Sequence, residues 1–161
     1  MKQQIKFLGI MAVIITIMAA CGQTGWKTVD MGDYKIHYPN SFELKATNKL
    51  KIFYYKSSSD TTMHMIVVDN FTSDLDGFVK NIEKAHREIP GTSSVESRRI
   101  QGDNFDIHET IAIRKETNEA VAQYCRVEKG KGYMLMMKTK SSEIDKHKTV
   151  AEEMMRRLEI K

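Results

Sequence analysis

Cysteine, proline and tryptophan are scarce in this chain of 161 residues, which contains two cysteines, two prolines and one tryptophan. Glycine is also infrequent, with nine residues, so the composition excludes collagen-like sequence and long disordered linkers. Two cysteines are too few for the disulfide framework of a small secreted scaffold. The length suits one ordinary domain, and we expect most of it to be regular structure.

The chain also lacks the short motifs that mark the common active sites. It contains no GxxxxGK[ST], GxGxxG, GxSxG or HExxH motif and no CxxC pair, so the usual nucleotide, esterase and zinc-site signatures are missing. A zinc site would have to assemble from distant strands, because no two histidines have a short ligand spacing. The five histidines are His37, His64, His86, His108 and His147. We expect a protein that is not an enzyme and that needs no cofactor or metal.

Residues 1–20 have the layout of a signal peptide. Lys2 and Lys6 form a positive start, residues 7–18 are mostly apolar, and Ala19 and Ala20 are small. A membrane-spanning helix needs about 20 apolar residues, and this apolar run is shorter. The pattern therefore favours a removable leader over a permanent span.

Cys21 follows the small residues directly, and the sequence Met18-Ala19-Ala20-Cys21 resembles the lipobox of bacterial lipoproteins, with Met18 where that pattern prefers leucine. The resemblance implies cleavage before Cys21 and a diacylglycerol on its sulfur, and the alternative is a plain secreted protein. Two or three acyl chains hold a protein on a bilayer. Gly22 stands where many Gram-negative lipoproteins of the inner membrane carry aspartate, so in such a cell the resemblance favours the outer membrane.

The charge balance does not favour nucleic acid as a partner. The formal net charge of +4 falls to +2 when the leader takes away two lysines and no acid. The basic residues are scattered, and the only adjacent arginine pairs are Arg98-Arg99 and Arg156-Arg157. A nucleic-acid-binding protein would show a basic stripe or a known motif.

The segment 21–25 is a short tether, and the pattern from residue 26 to residue 161 predicts a single domain. Apolar and polar residues alternate in several segments bounded by turn residues. The first predicted strand starts at Trp26 and alternates through 34–38. Six more are predicted at 51–56, 62–68, 95–101, 105–114, 120–128 and 131–140. Gly130 and Gly132 predict a hairpin turn between the last two.

Two segments have helical periodicity. Leu75, Phe78, Val79, Ile82, Ala85, His86 and Ile89 form one apolar stripe. Ser73 or Asp74 is the expected N-cap of this first helix, and Pro90-Gly91 ends it. The second helix opens at 142–145 and directs inward the apolar residues Ile144, Val150, Ala151, Met154, Met155 and Leu158.

This order of elements predicts an α+β fold, an antiparallel sheet of about six to seven strands with two amphipathic helices packed on it. The early YKIHYP strand, the helix ending at Pro90, the long strands through GYMLM and the closing helix with MMRRLEIK resemble the PsbP-like fold. The resemblance covers residues 26–161. It implies an accessory or binding protein without catalysis, although a fold by itself does not transfer function.

Two residues within the predicted strands are candidates for chemistry. Glu109 falls on the face of its strand that Ile107 and Ile111 should bury. We expect a bulge to turn it outward, and the alternative is a carboxylate that faces a pocket. Cys125 lies in the middle of a strand with no evident base or oxyanion donor, so we expect a buried structural thiol.

Methionine is abundant, with 11 residues, and it forms two clusters. Met63 and Met65 lie two apart in one predicted strand, as do Met134 and Met136 in another, so each pair shares a face. Thioethers suit Cu(I), whereas methionine also fills irregular gaps in cores. We expect the core role, with envelope copper binding as the alternative.

The leading expectation for function is therefore an envelope lipoprotein that is anchored at Cys21 and acts as a non-catalytic accessory or binding module. Its partners would be the membrane, through the lipid, and an envelope protein or polymer. The folded domain would lie outside the cytoplasm.

Overall fold

The computed structural model describes residues 25–46, 51–55, 62–69, 75–102 and 105–161, and within 46, 51–55 and 63–69 it describes the backbone alone. The expected leader, Cys21 and the expected cap at Ser73 or Asp74 lie outside the described residues. Among the helices that are described, none has the length and apolarity needed to cross a membrane.

The described residues form ten strands and two α-helices. The strands are β1 (Trp26–Asp30), β2 (Tyr34–Pro39), β3 (Phe42–Ala46), β4 (Lys51–Tyr55), β5 (Met63–Asp69), β6 (Ser94–Gln101), β7 (Asp106–Arg114), β8 (Glu119–Glu128), β9 (Lys131–Lys140) and β10 (Glu159–Ile160). The helices are α1 (Leu75–Glu88) and α2 (Ile144–Arg156), and a 3₁₀ turn at Ser141–Glu143 leads into α2.

The strands form two antiparallel sheets. The large sheet has the order β3-β4-β5-β9-β8-β7-β6, and the small sheet has the order β1-β2-β10. The α+β class and the seven-stranded sheet are confirmed, but the small second sheet was not predicted as a separate layer. Sequence patterns did not predict β3 and β10, because five residues after a turn and two residues after a helix carry too little alternation to be seen.

The large sheet has two different faces, because side chains alternate along each strand. One face, called the core face here, is covered by α2 and the small sheet and holds most of the buried apolar residues. Its fully buried members include Ile107, Ala120, Ala122, Tyr124, Tyr133, Leu135 and Met137.

The opposite face, called the outer face, presents Ser97 and Arg99 of β6, His108 of β7, Gln123 and Cys125 of β8, and Met134 and Met136 of β9. Helix α1 covers only part of this face, because it packs on β6, β7 and β8. The two helices thus lie on opposite faces of one sheet.

Helix α1 buries the middle of its predicted apolar stripe, at Val79, Ile82 and His86. Ala85, which belongs to the same stripe, is exposed. The predicted end of the helix is confirmed, since Pro90 follows it and Gly91 has a φ of 79°, in the left-handed region that glycine adopts most readily.

Helix α2 buries Ile144, Ala151, Met154 and Met155 as predicted, together with His147, which the pattern did not include. Val150 is only half-buried. Met154, Met155 and Met137 of β9 are fully buried, so these three methionines fill the gap between helix and sheet.

The end of α2 is held by Arg126 of β8, a residue that is only 5% exposed. Its Nη1 donates to the carbonyl oxygens of Met155 (3.2 Å) and Leu158 (3.1 Å). Its guanidinium lies over the Phe105 ring at 3.6 Å and pairs with Glu128. A cation at the C-terminus of a helix is favoured by the helix dipole, so Arg126 couples α2 to β8.

Candidate functional site

Glu109 is a buried carboxylate on the core face. Its register partners are Arg98 on β6 and Tyr124 on β8, and the ladders on both sides run through it. Its side chain is only 5% exposed. The expected bulge is therefore wrong, because Glu109 stays inward where a guanidinium lies opposite it on the neighbouring strand.

Arg98 holds Glu109 with two donors. Its Nε pairs with Oε1 of Glu109, and its Nη2 donates to Oε2 at 3.1 Å. The same Nη2 also donates to Oε2 of Glu152 on α2, at 3.2 Å. The hydrogen bond to Glu109 raises the pKa of Arg98. A bidentate pair of this kind fixes both the direction and the charge of the carboxylate.

Tyr124 of β8 lies next to Glu109, on the side opposite Arg98. Burial, together with the negative charge of Glu109 and a hydrogen bond to it, raises the pKa of Tyr124 well above its usual value. The Tyr124 hydroxyl also lies 3.2 Å from the carbonyl oxygen of Lys148 on α2 and donates to it. The phenol therefore stays protonated, and it donates its single proton to the backbone of α2 beside the Glu109 carboxylate.

Arg98 and Glu109 line a cavity of about 310 Å³ between the core face and α2. We call it the Glu109 cavity. Its lining residues are Glu96, Ser97, Arg98, Glu109, Ile111 and Lys148. The volume lies at the small end of ligand sites. Five of the six lining residues are polar or charged, so the cavity is more polar than the mostly apolar site of a typical small molecule.

A second cavity of about 300 Å³ lies on the other side of the sheet, beside α1. Its polar lining includes Asp76, Lys80, Glu83, Arg99 and His108. The Nε2 of His108 lies 3.5 Å from Oδ1 of Asp76, which is 69% exposed. Arg99 pairs with Asp106, which is 32% exposed. The charged groups around this second cavity are therefore solvated, whereas Glu109 is buried.

The methionine clusters lie on neighbouring strands. β5 pairs with β9, and Met65 is the register partner of Met136. Met63 occupies the same face, because positions two apart on a strand alternate together. Met134 and Met136 are half-buried, whereas the side chains of Met63 and Met65 lie outside the described residues.

His64 and Met65 occupy opposite faces of β5, because successive residues of a strand alternate between faces. His64 is the register partner of Met137, which is fully buried on the core face, whereas Met136 lies on the outer face. Among the described residues, no three histidine, cysteine, aspartate or glutamate side chains are grouped so that they could hold a metal ion.

Cys125 is buried as expected, with 2% exposure. Burial raises the pKa of its thiol to about 12, so the thiol is protonated near neutral pH. A protonated thiol is a poor nucleophile. His108 is the register partner of Cys125 on this face. Elsewhere on the same face, the Nε2 of His86 lies 2.8 Å from Oε1 of Gln123, and Gln123 donates to Met134 Sδ at 3.5 Å.

Sequence reasoning found Glu109 but missed Arg98, Tyr124, Glu152 and Lys148. Arg98 could have been found from the hairpin that joins β6 to β7, because the register across this turn places residue 98 opposite residue 109. Glu152 and Lys148 of α2 could not be found in this way, since their positions depend on how the helix lies across the sheet.

Comparison with known proteins shows the fold. No family model matches the chain, and no curated protein matches its sequence. Among solved structures, the chain is similar to the cyanobacterial PsbP protein CyanoP of Synechocystis sp. PCC 6803, with 14% identity, a TM-score of 0.57, and coverage of 87% of this chain and 95% of that chain.

Two further structures share the fold. LpqN of Mycobacterium tuberculosis, which is involved in cell envelope biogenesis, has 14% identity and a TM-score of 0.56, over 84% of this chain and 90% of that chain. PA94 of Pseudomonas aeruginosa, a protein of unknown function, has 13% identity and a TM-score of 0.53, over 82% and 94%. The fold of the described residues is therefore PsbP-like, as the resemblance implied.

Proposed function

We propose that this chain is a lipid-anchored envelope protein whose PsbP-like domain is a non-catalytic binding module. The observation that carries the proposal is the position of Cys21, directly after a leader-like segment and five residues before β1 begins at Trp26. Such a short tether would hold the domain at the membrane surface. LpqN, which shares the fold, is described as involved in cell envelope biogenesis, and this agrees with the proposal.

The Glu109 cavity is the site that we assign to binding. A carboxylate that is 5% exposed and clamped by a bidentate arginine is a fixed group, whose position does not have to be ordered when a ligand arrives. Pre-organised groups lower the entropic cost of binding. Lys148 lies at the cavity on the α2 side, so a ligand there would meet charges of both signs.

Cell fractionation tests the location. The wild-type chain should be recovered with membranes, and Cys21→Ala should move to the soluble fraction or remain as an uncleaved precursor. Cys125→Ala is the matched control, because it removes the other cysteine and should leave the protein with the membranes. For a Gram-negative host we expect the outer membrane, from the glycine at position 22. Recovery of Cys21→Ala and wild type in the same fraction, with the same mass, would contradict the anchor.

Site-specific photo-crosslinking tests the cavity. A photoreactive residue in place of Lys148 at the cavity should capture a molecule in intact cells, whereas the same residue in place of Lys115, in the exposed β7–β8 turn, should not. Equal labelling from the two positions would show that the cavity has no special role. Turnover of a defined envelope substrate by the purified protein would overturn the non-catalytic assignment.

A second candidate function is Cu(I) binding on the outer face, and the observation that favours it is the register of Met65 against Met136. Residues directly opposite on antiparallel strands have Cβ atoms about 5 Å apart, and this register would bring thioethers from two strands to one site. Met134 lies diagonally opposite Met65 on the same face.

Titration with reduced copper against a chelator tests this candidate. Met63→Leu with Met65→Leu should abolish stoichiometric binding and change stability by less than about 1.5 kcal/mol, because leucine nearly conserves volume. Met137→Leu is the matched control, since Met137 lies beside Met136 but on the core face. Unchanged copper affinity in the double variant would leave methionine only its packing role.

A further inference from the structure

Strand β6 forms an edge of the large sheet, with β7 on one side and no strand among the described residues on the other. The N–H of Gly102 donates to the carbonyl of Phe105 at 2.8 Å, in the register of the β6–β7 ladder. Backbone groups alternate in direction along a strand, so even-numbered residues of β6 bond to β7. The odd-numbered residues direct their backbone N–H and C=O groups outward, away from β7. These residues are Val95, Ser97, Arg99 and Gln101.

Hydrogen bonds from two arginine side chains show independently that these backbone groups point away from β7. Arg87 of α1 donates to the carbonyl of Val95 at 3.4 Å, and Arg156 of α2 donates to the carbonyl of Gln101 at 3.3 Å. Between these ends, the outward backbone groups of Ser97 and Arg99 have no partner within the described part of the chain. A row of free N–H and C=O groups is a template for another strand.

The two cavities meet at this edge. The Glu109 cavity on the core face and the cavity beside α1 on the outer face are both lined by Ser97 and Arg98. A strand added along β6 would direct its side chains alternately to the two faces. The edge therefore has space on both faces where the centre of an added strand would lie.

The charges of β6 are complementary to those of a second copy. In an antiparallel pair about a twofold axis at Ser97, the two Ser97 residues are register partners, and Glu96 of each copy lies opposite Arg98 of the other. Glu96 is exposed and has no ion-pair partner within the described part of the chain. Arg98 uses Nε and Nη2 for Glu109 and Glu152, which leaves its Nη1 for an incoming carboxylate.

We propose that β6 pairs with β6 of a second copy of this chain, in an antiparallel arrangement with its twofold axis at Ser97. Charges on an edge strand normally prevent pairing. Here the twofold axis converts Glu96 and Arg98 into two cross-strand pairs of opposite charge, which stabilise a sheet. Such a contact is isologous and closes on itself, so it stops at a dimer. The proposal does not depend on the lipid anchor.

Sedimentation equilibrium of the full chain in detergent tests the pairing. The wild type should show a monomer–dimer equilibrium, and Ser97→Pro should be monomeric, because proline removes the outward N–H at the centre of the interface. Proline is tolerated on an edge strand when its nitrogen faces solvent. Ser97→Ala is the control and should dimerise like the wild type. A wild type that stays monomeric at about 1 mM would overturn the proposal.

A second variant covers the outcome in which Ser97→Pro does not fold. Glu96→Arg changes an exposed side chain and places like charges opposite each other twice, so dimerisation should weaken by roughly tenfold or more. Dimerisation equal to wild type in this variant would overturn the arrangement about Ser97.

Disulfide trapping locates the axis. The Cα atoms of a hydrogen-bonded antiparallel pair lie about 5.5 Å apart, within the range of a disulfide. Ser97→Cys should therefore form a covalent dimer under mild oxidation, beyond the background of the wild type. Lys115→Cys, in an exposed turn, should not exceed that background. Equal crosslinking from both positions would contradict the proposed axis.

Discussion

Arg98 and Arg99 are neighbours in β6, but they lie on opposite faces of the large sheet. Arg98 pairs with Glu109, whose side chain is 5% exposed, and Arg99 pairs with Asp106, whose side chain is 32% exposed. The two arginines are themselves almost equally exposed, at 55% and 57%. The two regions therefore differ in how deeply the carboxylate is buried. Glu109 is enclosed at a cavity, whereas Asp106 lies at a solvated surface.

The same contrast holds for the two helices. Helix α2 lies on the core face, buries five residues and is held at its end by Arg126. Helix α1 lies on the outer face and buries three. Fewer buried apolar residues mean a lower free energy of local opening, so we expect the outer face to be the more adaptable side of the domain.

Removal of Arg98 should give the largest effect. Arg98→Met leaves the carboxylate of Glu109 buried without its cation, and breaking a buried pair in this way destabilises by about 3–5 kcal/mol. Because Arg98 is itself half-exposed, we expect a loss of about 2–4 kcal/mol in urea unfolding. Arg98→Met with Glu109→Leu should recover most of it. A loss below about 0.5 kcal/mol would show that Glu109 is hydrated.

Removal of Arg126 should give the next largest loss of stability. Arg126→Met leaves the Leu158 carbonyl without this donor and leaves the Met155 carbonyl with only the N–H of Leu158 at 3.4 Å. A buried group that loses its hydrogen bond costs about 1–3 kcal/mol. We expect a loss of about 2–3 kcal/mol in total, because water reaches part of the freed helix end. Amide hydrogen exchange should quicken at the C-terminus of α2 and not in α1. Equal quickening in both helices would indicate global destabilisation instead.

Ionisation of the Cys125 thiol should give a smaller loss of stability, and this loss depends on pH. Burial raises the pKa of its thiol from 9.0 to about 12, so above pH 9 the unfolded chain loses a proton that the folded chain keeps. Stability is therefore full below the unfolded pKa and falls as pH rises towards the folded pKa. Between pH 9 and the ordinary tyrosine value of 10.0, we expect a loss of about 1 kcal/mol.

Cys125→Ala isolates this contribution. The variant should be less stable at neutral pH, because a buried side chain is truncated, but its stability should vary less between pH 9 and 10. Burial also raises the pKa of Tyr34, Tyr124 and Tyr133, whose unfolded forms are partly ionised as pH approaches 10. Only the difference in slope between wild type and Cys125→Ala therefore belongs to the thiol. An unchanged slope in Cys125→Ala would mean that the thiol is not the group that titrates.

Arg99 should give the smallest effect. Its pair with Asp106 is solvated, and exposed ion pairs contribute at most about 1 kcal/mol. We expect Arg99→Met to change the free energy of unfolding by less than about 0.5 kcal/mol, under the conditions used for Arg98→Met. A loss equal to that of Arg98→Met would remove the contrast between the two faces.

Much of the fold could be predicted from the sequence, because alternation and helical periodicity record which side of each element is buried. The stripes of α1 and α2 and the long strands β7, β8 and β9 are of this kind. The assignment of the helices to opposite faces could not be predicted, since an amphipathic stripe shows that a face is covered but not which sheet face covers it.

The candidate site was only half visible in the sequence. Glu109 broke the apolar pattern and was found for that reason, whereas its partner Arg98 looked like an ordinary surface arginine. The bulge was expected because a single strand shows the misfit and not the charge that compensates it. Reading β6 and β7 together as a hairpin supplies that charge.

The central functional claim is the lipid anchor at Cys21, and metabolic labelling with palmitate measures it most directly. Wild type and Cys125→Ala should incorporate label into a protein that has lost its leader, and Cys21→Ala should incorporate none. A wild-type protein that is processed without incorporating label would contradict the claim and identify a plain secreted protein.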